Sequence, residues 1–317
     1  MAKLPIIIDC DPGQDDAIML MMAFSQRDKL DILGVVAVGG NVPLDKTGRN
    51  ARIICELTGH TDIPVYAGCV RPLARDLHTA VEVHGEEGMS GVDVYEPDMP
   101  LQKKHGVDFI IETLRAHKDA EVVLVITGPM TNLATAFTQA PDIKSKIKEI
   151  VLMGGGRTIV GNVTPSAEYN IYADPHAADI IYKSGVKTVT IGLDVTHRVL
   201  ASKARVQRMK SIGNKVAVTA CNILGPYSFY DSDKYGTDGG PLHDPCTIAY
   251  VLDPGLFTTK FCNLEVETGS ELTLGHTSVD FWHGMPESER PKNTHWAYEV
   301  DDDGVYDLLY RCLETFS

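Results

Sequence analysis

Near its start the chain reads Asp9-Cys10-Asp11-Pro12-Gly13-Gln14-Asp15-Asp16, which puts four aspartates within eight residues. Carboxylates this close repel one another unless a cation neutralises them, and a carboxylate-rich donor set favours a hard ion, Ca2+ or Mg2+. The positive N-terminus of a following helix, together with a cap, accounts for one of these acids but not for all four. A further acid comes late, in His243-Asp244-Pro245. On its own, Asp244 reads at least as well as the cap of a helix that has proline at its first position.

Two familiar uses of such acids do not fit. An EF-hand loop counted from Asp9 has Gly13 at its fifth position and lacks the terminal glutamate. A phosphatase of the haloacid-dehalogenase type wants Thr or Val where Gly13 stands, and no lysine-bearing partner motif follows.

The elements that must position these residues alternate. Short β-branched runs at Ile6–Ile8, Ile32–Val38, Val65–Tyr66, Val122–Ile126, Ile150–Met153 and Thr188–Ile191 are separated by helical patterns, among them Asp15–Ser25, Leu44–Leu57, 106–117 and Asp174–Ser184. A Gly- and acid-rich loop is expected over 70–104. The last third is less regular, with helices expected near 201–224, 245–252 and 302–315 and strands near 257–267 and 276–282. This order predicts an α/β fold: an open, mostly parallel, doubly wound (Rossmann-like) sheet with additional C-terminal helices and strands, in one domain spanning 1–317. In such sheets ligands bind beyond the carboxyl ends of the strands. Those ends carry Asp9–Asp16, then Gly39-Gly40-Asn41, then Thr127–Asn132, then Gly154-Gly155-Gly156 and a loop with Asn162, Glu168 and Asn170. Four strand ends thus deliver Gly, Asp, Asn and Thr to one edge.

Composition narrows the ligand. With 29 basic and 43 acidic residues the formal net charge is −14, a poor match to nucleic acid or an anionic membrane. The seven cysteines form no C-x-x-C pair, so reduced thiols and a cytoplasmic setting are expected. No signal peptide or membrane span is legible, since the apolar run Ala17–Phe24 falls short of the roughly 18 residues a span needs.

The motif Asp-Cys-Asp-Pro-Gly-Gln-Asp-Asp-Ala resembles the signature of the nucleoside hydrolases of the inosine–uridine-preferring type. Asn41, Thr127-Gly128-Pro129-Met130-Thr131-Asn132-Leu133, Met153-Gly154-Gly155, Glu168-Tyr169-Asn170 with Ala173-Asp174-Pro175, and His243-Asp244 match as well, in the family's order. The resemblance runs from about Leu4 to beyond Pro245, with a continuation toward the C-terminus.

It implies Ca2+-dependent cleavage of the N-ribosidic bond of ribonucleosides, purine or pyrimidine, to free base and ribose. It also implies one Ca2+ held by Asp11, Asp16, the carbonyl of Thr127 and Asp244. Asp15 would be the general base toward the metal-held water that attacks C1′. Asn41, Met153, Asn162, Glu168 and Asn170 would surround the ribose. His84 would lie near the nucleobase, and His243 would protonate the leaving group. Tyr230 and Tyr235, in an aromatic stretch that could equally be a helix packing face, are candidates to meet the base. Partners are then a small nucleoside and further copies of the chain, as homodimer or homotetramer, with a place in nucleoside salvage or catabolism.

The residue types suit that chemistry independently. An oxocarbenium-like sugar is the transition state that glycosidases stabilise with carboxylates. General acid or base catalysis supplies roughly 3–5 kcal/mol of the about 8–23 kcal/mol an enzyme provides, so metal activation and a tight hold on the sugar must supply the rest. A nucleoside-binding sensor is the alternative. It would need the sugar clamp but not the base, and Asp15 is present.

Overall fold

Ile6-Ile7-Ile8 and Val122-Val123-Leu124-Val125-Ile126 are apolar at consecutive positions, the pattern of a strand covered on both faces. The computed structural model describes residues 2–283 and 290–316, and across 226–235 the backbone alone; both runs lie at the centre of its nine-stranded sheet. In chain order come β1 (Leu4–Cys10), α1 (Gln14–Ser25), β2 (Leu30–Ala37), α2 (Leu44–Leu57), β3 (Val65–Ala67), α3 (Val81–His84), α4 (Gly106–Ala116), β4 (Val122–Ile126) and α5 (Thr131–Gln139). Then follow β5 (Ile147–Met153), α6 (Tyr169–Ala173), α7 (Pro175–Tyr182), β6 (Thr188–Ile191) and α8 (Leu193–Thr196). The last third holds α9 (Lys203–Ser211), α10 (Lys215–Tyr235), α11 (Pro245–Leu252), β7 (Phe257–Val266), β8 (Thr277–Asp280), β9 (Thr294–Val300) and α12 (Asp302–Glu314).

The strand order is β3-β2-β1-β4-β5-β6-β9-β7-β8. Every pairing from β3 through to β9 is parallel, and β7 and β8 close one edge antiparallel. This is the mostly parallel, doubly wound α/β sheet expected from the strand–helix alternation. Side chains of the central strands alternate between two cores: Ile6, Ile8 and Cys10 face one, Ile7 the other, and β4 divides in the same way. α1 is apolar around its whole circumference, and Ala17 to Phe24 are all buried, so it serves as an internal helix. Its N-terminus starts directly after β1, the strand flanked by β2 and β4. There the order reverses direction, which makes the end of β1 the switch-point crevice.

Three features differ from the expectation. β9 lies where the sequence pattern predicts no strand: His295 and Glu299 interrupt its apolar pattern, yet Trp296 and Ala297 are fully buried and the strand joins β6 to β7. The single helix expected near 201–224 is two, broken at Gly213, whose φ of +81° is left-handed; Asn214 Oδ1 then accepts from Ala217 N to start α10. Within the expected 70–104 loop, α3 makes one turn that carries His84. All seven cysteines are free, and no described helix is long and apolar enough to cross a membrane.

Candidate active site

The turn after β1 folds the aspartates inward. Gly13 N donates to Asp16 Oδ2 at 3.0 Å, and Thr127 Oγ1, just past β4, donates to Asp16 Oδ1 at 2.8 Å. Asp11 Oδ2 accepts from Asn41 N at 2.7 Å. Gly40 and Gly128 wall in the Asp11 carboxylate so closely that a Cβ on either would collide with it. Asp244 occupies the cap position of α11, but its backbone is already helical (φ −66°, ψ −37°) and its side chain makes no capping bond. Pro245 needs no donor satisfied there, so the Asp244 carboxylate is free to turn inward and bond to Asp15. The capping account of Asp244 therefore fails.

Carboxylate oxygens of Asp15, Asp16 and Asp244 lie within 4.8 Å of one another. Asp11 is not part of that trio, but its buried Oδ1 has no hydrogen-bond partner. Burial, reinforced by the charge of Asp16, lifts the Asp15 carboxyl to about 7 and Asp11 well above the usual range. Burial takes Asp16 up to about 6 against the hydrogen bonds from Gly13 and Thr127, which pull it down; burial and the neighbouring aspartates raise Asp244 strongly. Converging oxygens, an orphaned acceptor and disfavoured negative charge are the features of a site that fits a hard divalent cation.

The residues expected at the ribose stand around this cluster, each already anchored at one end. Glu168 caps α6, accepting from Asn170 N at 3.0 Å and Ile171 N at 3.2 Å, and it accepts Gly155 N at 3.0 Å as well. Burial raises its carboxyl, and those N–H groups pull the other way. Asn170 Nδ2 donates to the carbonyls of Thr127 at 3.0 Å and Met153 at 3.2 Å. The Thr127 carbonyl thus carries one bond and keeps a lone pair. Asn162 Oδ1 accepts from Tyr169 N at 2.9 Å, and Asn41 Nδ2 donates to the Asp11 carbonyl at 3.0 Å.

A cavity of about 140 Å³ brings together Asp15, Asn41, His84, Thr127, Met153, Asn162, Glu168, Asn170, His243 and Asp244. Asp11 and Asp16 lie outside its lining, and among the described residues no lysine or arginine lines it. Tyr230 and Tyr235 fall outside the residues whose side chains are described.

Two histidines flank the cavity. His84 Nδ1 pairs with Gln14 Oε1, and burial holds the His84 imidazole down at about 4. His243 Nδ1 lies 2.9 Å from Thr196 Oγ1, and its ring centroid is 5.6 Å from that of His197. Burial, then the charges of His197 and His84, push His243 well below the usual range, so it is neutral at neutral pH. Residue types alone did not single out Gln14, Glu82, Tyr169 or Thr196. Gln14 stands within the aspartate motif and was open to notice; Thr196 carries no local signal.

A buried carboxylate cluster able to hold a cation, set under a pocket of amides and acids at the switch point of a parallel α/β sheet, defines an α/β protein with a small polar ligand site. Residues 6–307 match the family described as inosine-uridine preferring nucleoside hydrolase, and the chain belongs to that family. A pyrimidine-specific ribonucleoside hydrolase RihA from Enterobacter sp. (strain 638) is 44% identical over 315 residues, 99% of each chain. Among solved structures, a plant nucleoside hydrolase superposes with a TM-score of 0.91 at 30% identity over 99% of both chains. A purine-preferring ribonucleoside hydrolase from Gardnerella vaginalis gives 0.88 at 31% identity over 98% of this chain and 99% of that one. The resemblance read from the motifs is thereby borne out for family, fold and enzyme class.

Proposed function

We propose that the protein is a Ca2+-dependent hydrolase that splits ribonucleosides into free base and ribose. One observation carries this reading: Asp15, Asp16 and Asp244 converge beneath a cavity walled by Asn41, Asn162, Glu168 and Asn170. Asp11, Asp16, Asp244 and the free lone pair of the Thr127 carbonyl would hold the ion. When bound, Ca2+ supplies positive charge that acidifies a water and orients the ribose diol. Asp15, which lines the cavity beside Asp244 and is not among the proposed ligands of the ion, accepts the proton of the attacking water at C1′.

The anchored amides and Glu168 hold the sugar hydroxyls, and Met153 forms the floor. A general base is worth roughly 3–5 kcal/mol, so this preorganised hold carries much of the remainder. His243 faces the leaving base. With Nδ1 against the Thr196 hydroxyl, Nε2 is the nitrogen that serves the base: the neutral ring takes up a proton and passes it on as the bond to C1′ breaks. His84, fixed by Gln14, contacts the base. The whole chain acts as one unit around its single sheet, in the cytoplasm, as a homodimer or homotetramer.

Greater identity to relatives named pyrimidine-specific than to the purine-preferring structure favours uridine and cytidine as substrates. Among the described residues the cavity is lined by acids and by no basic residue, which favours nucleosides over their 5′-phosphates. Free-ribose release from a panel of nucleosides and 5′-nucleotides tests both points. Uridine and cytidine are expected to lead, and ribose 5-phosphate should not form. Release from nucleotides alone would overturn the reading.

A further inference from the structure

α8 is a single helical turn, yet its side chains bond the loop after β5 near one end and His243 at the other. Near its start, buried Asp194 accepts Arg157 N on Oδ2 at 2.8 Å and Thr158 N on Oδ1 at 2.7 Å, with the Thr158 hydroxyl bonded to the same oxygen. At its end, fully buried Thr196 places Oγ1 2.9 Å from His243 Nδ1. Backbone bonds tie the same turn to the start of the 154–168 loop: Leu193 N donates to Gly155 O at 2.9 Å, and Gly154 N to Ile191 O at 3.1 Å. Gly156 is held on Thr277. Asp194 therefore takes the next two N–H groups of the loop that leads to Asn162 and Glu168.

We propose that α8 is a strut shared by the two halves of the site, with Asp194 a positioning residue for the ribose-holding loop and Thr196 a positioning residue for His243. The proposal rests on the reading of function above, because it presumes ribose at that loop. Three donors converge on Asp194, which demands a group that only accepts. An asparagine of the same shape would turn an NH2 toward an N–H or hydroxyl, loosening the loop without emptying the space. Thr196 acts differently: its hydroxyl, bonded to Nδ1, holds the His243 ring in one orientation.

The two residues should separate kinetically. Asp194→Asn is expected to raise KM for uridine and weaken free-ribose binding by about tenfold, the worth of one lost bond, with kcat little changed. Asp194→Ala, which loses both acceptor oxygens, should weaken both further. Thr196→Val should leave KM alone and lower kcat for uridine about tenfold. It should not slow 4-nitrophenyl riboside, whose leaving group needs no proton, and Thr196→Ser should restore the loss. Calorimetry with free ribose reads Asp194 even if the wild-type protein cleaves no nucleoside, an outcome that would sink the proposed function and leave the loop test standing. Asp194→Asn that lowers Tm while KM and ribose affinity stay within about twofold, the size of a few tenths of a kcal/mol, would overturn the strut. So would Thr196→Val that slows both substrates equally.

Discussion

Asn41 holds Asp11 at two points: its backbone N–H donates to Asp11 Oδ2 at 2.7 Å, and its side-chain Nδ2 donates to the Asp11 carbonyl at 3.0 Å. The first bond survives any substitution but proline, so Asn41→Ala tests whether the side chain serves the sugar, as proposed, or the carboxylates, since Nδ2 also lies 3.5 Å from Asp16 Oδ2. Losing one amide contact should raise KM for ribonucleosides about tenfold and cost about 1 kcal/mol of stability. The Tm gain on adding Ca2+ should persist. A variant that no longer responds to Ca2+ would show that the Asn41 side chain serves Asp11 and not the sugar.

Calcium dependence of stability should vary with pH. Folding raises Asp15 from 3.8 to about 7 and Asp16 to about 6, so between about pH 4 and 7 the metal-free folded state holds protons that the unfolded chain has released. Stability of the chelated protein should then fall as pH rises through that window. Bound Ca2+ takes over the role of those protons, and the Tm gain it confers should be larger at pH 8 than at pH 5. Scanning fluorimetry with chelator or Ca2+ across that range reads the effect. A gain independent of pH would contradict it.

Asp15→Asn preserves shape and removes a base. Turnover should drop by about 10²–10⁴, the worth of general base catalysis. The chelated variant should be no less stable than wild type, since one of several mutually repelling buried charges has gone. Steady-state kinetics beside a chelated melt checks both; an unchanged kcat would remove Asp15 from the base role.

Much of this was legible in the chain. Consecutive apolar residues in β1 and β4, with Gly, Asp and Asn directly after them, mark buried parallel strands that end in a site. Ten of the residues that the resemblance pointed to line one cavity, eight of them within the matching motifs. What stayed hidden was non-local or conformational. Whether Asp244 caps a helix or joins the cluster depends on backbone angles at a residue that could do either. Thr196 and His243 are 47 residues apart, Gln14 and His84 are 70 apart, and neither pair has a spacing to betray it. β9 lacks alternation because it lies between a parallel and an antiparallel neighbour, where burial is decided by the sheet and not by its own pattern.

The central claim is that a cation held by the buried aspartates drives cleavage of a ribosidic bond. Free ribose released from uridine and inosine should be measured before chelation, after chelation, and after Ca2+ is restored. The account predicts release, its loss, and its recovery on the same preparation. Ribose production that continues undiminished in excess chelator, with the ion shown to be gone, would contradict it.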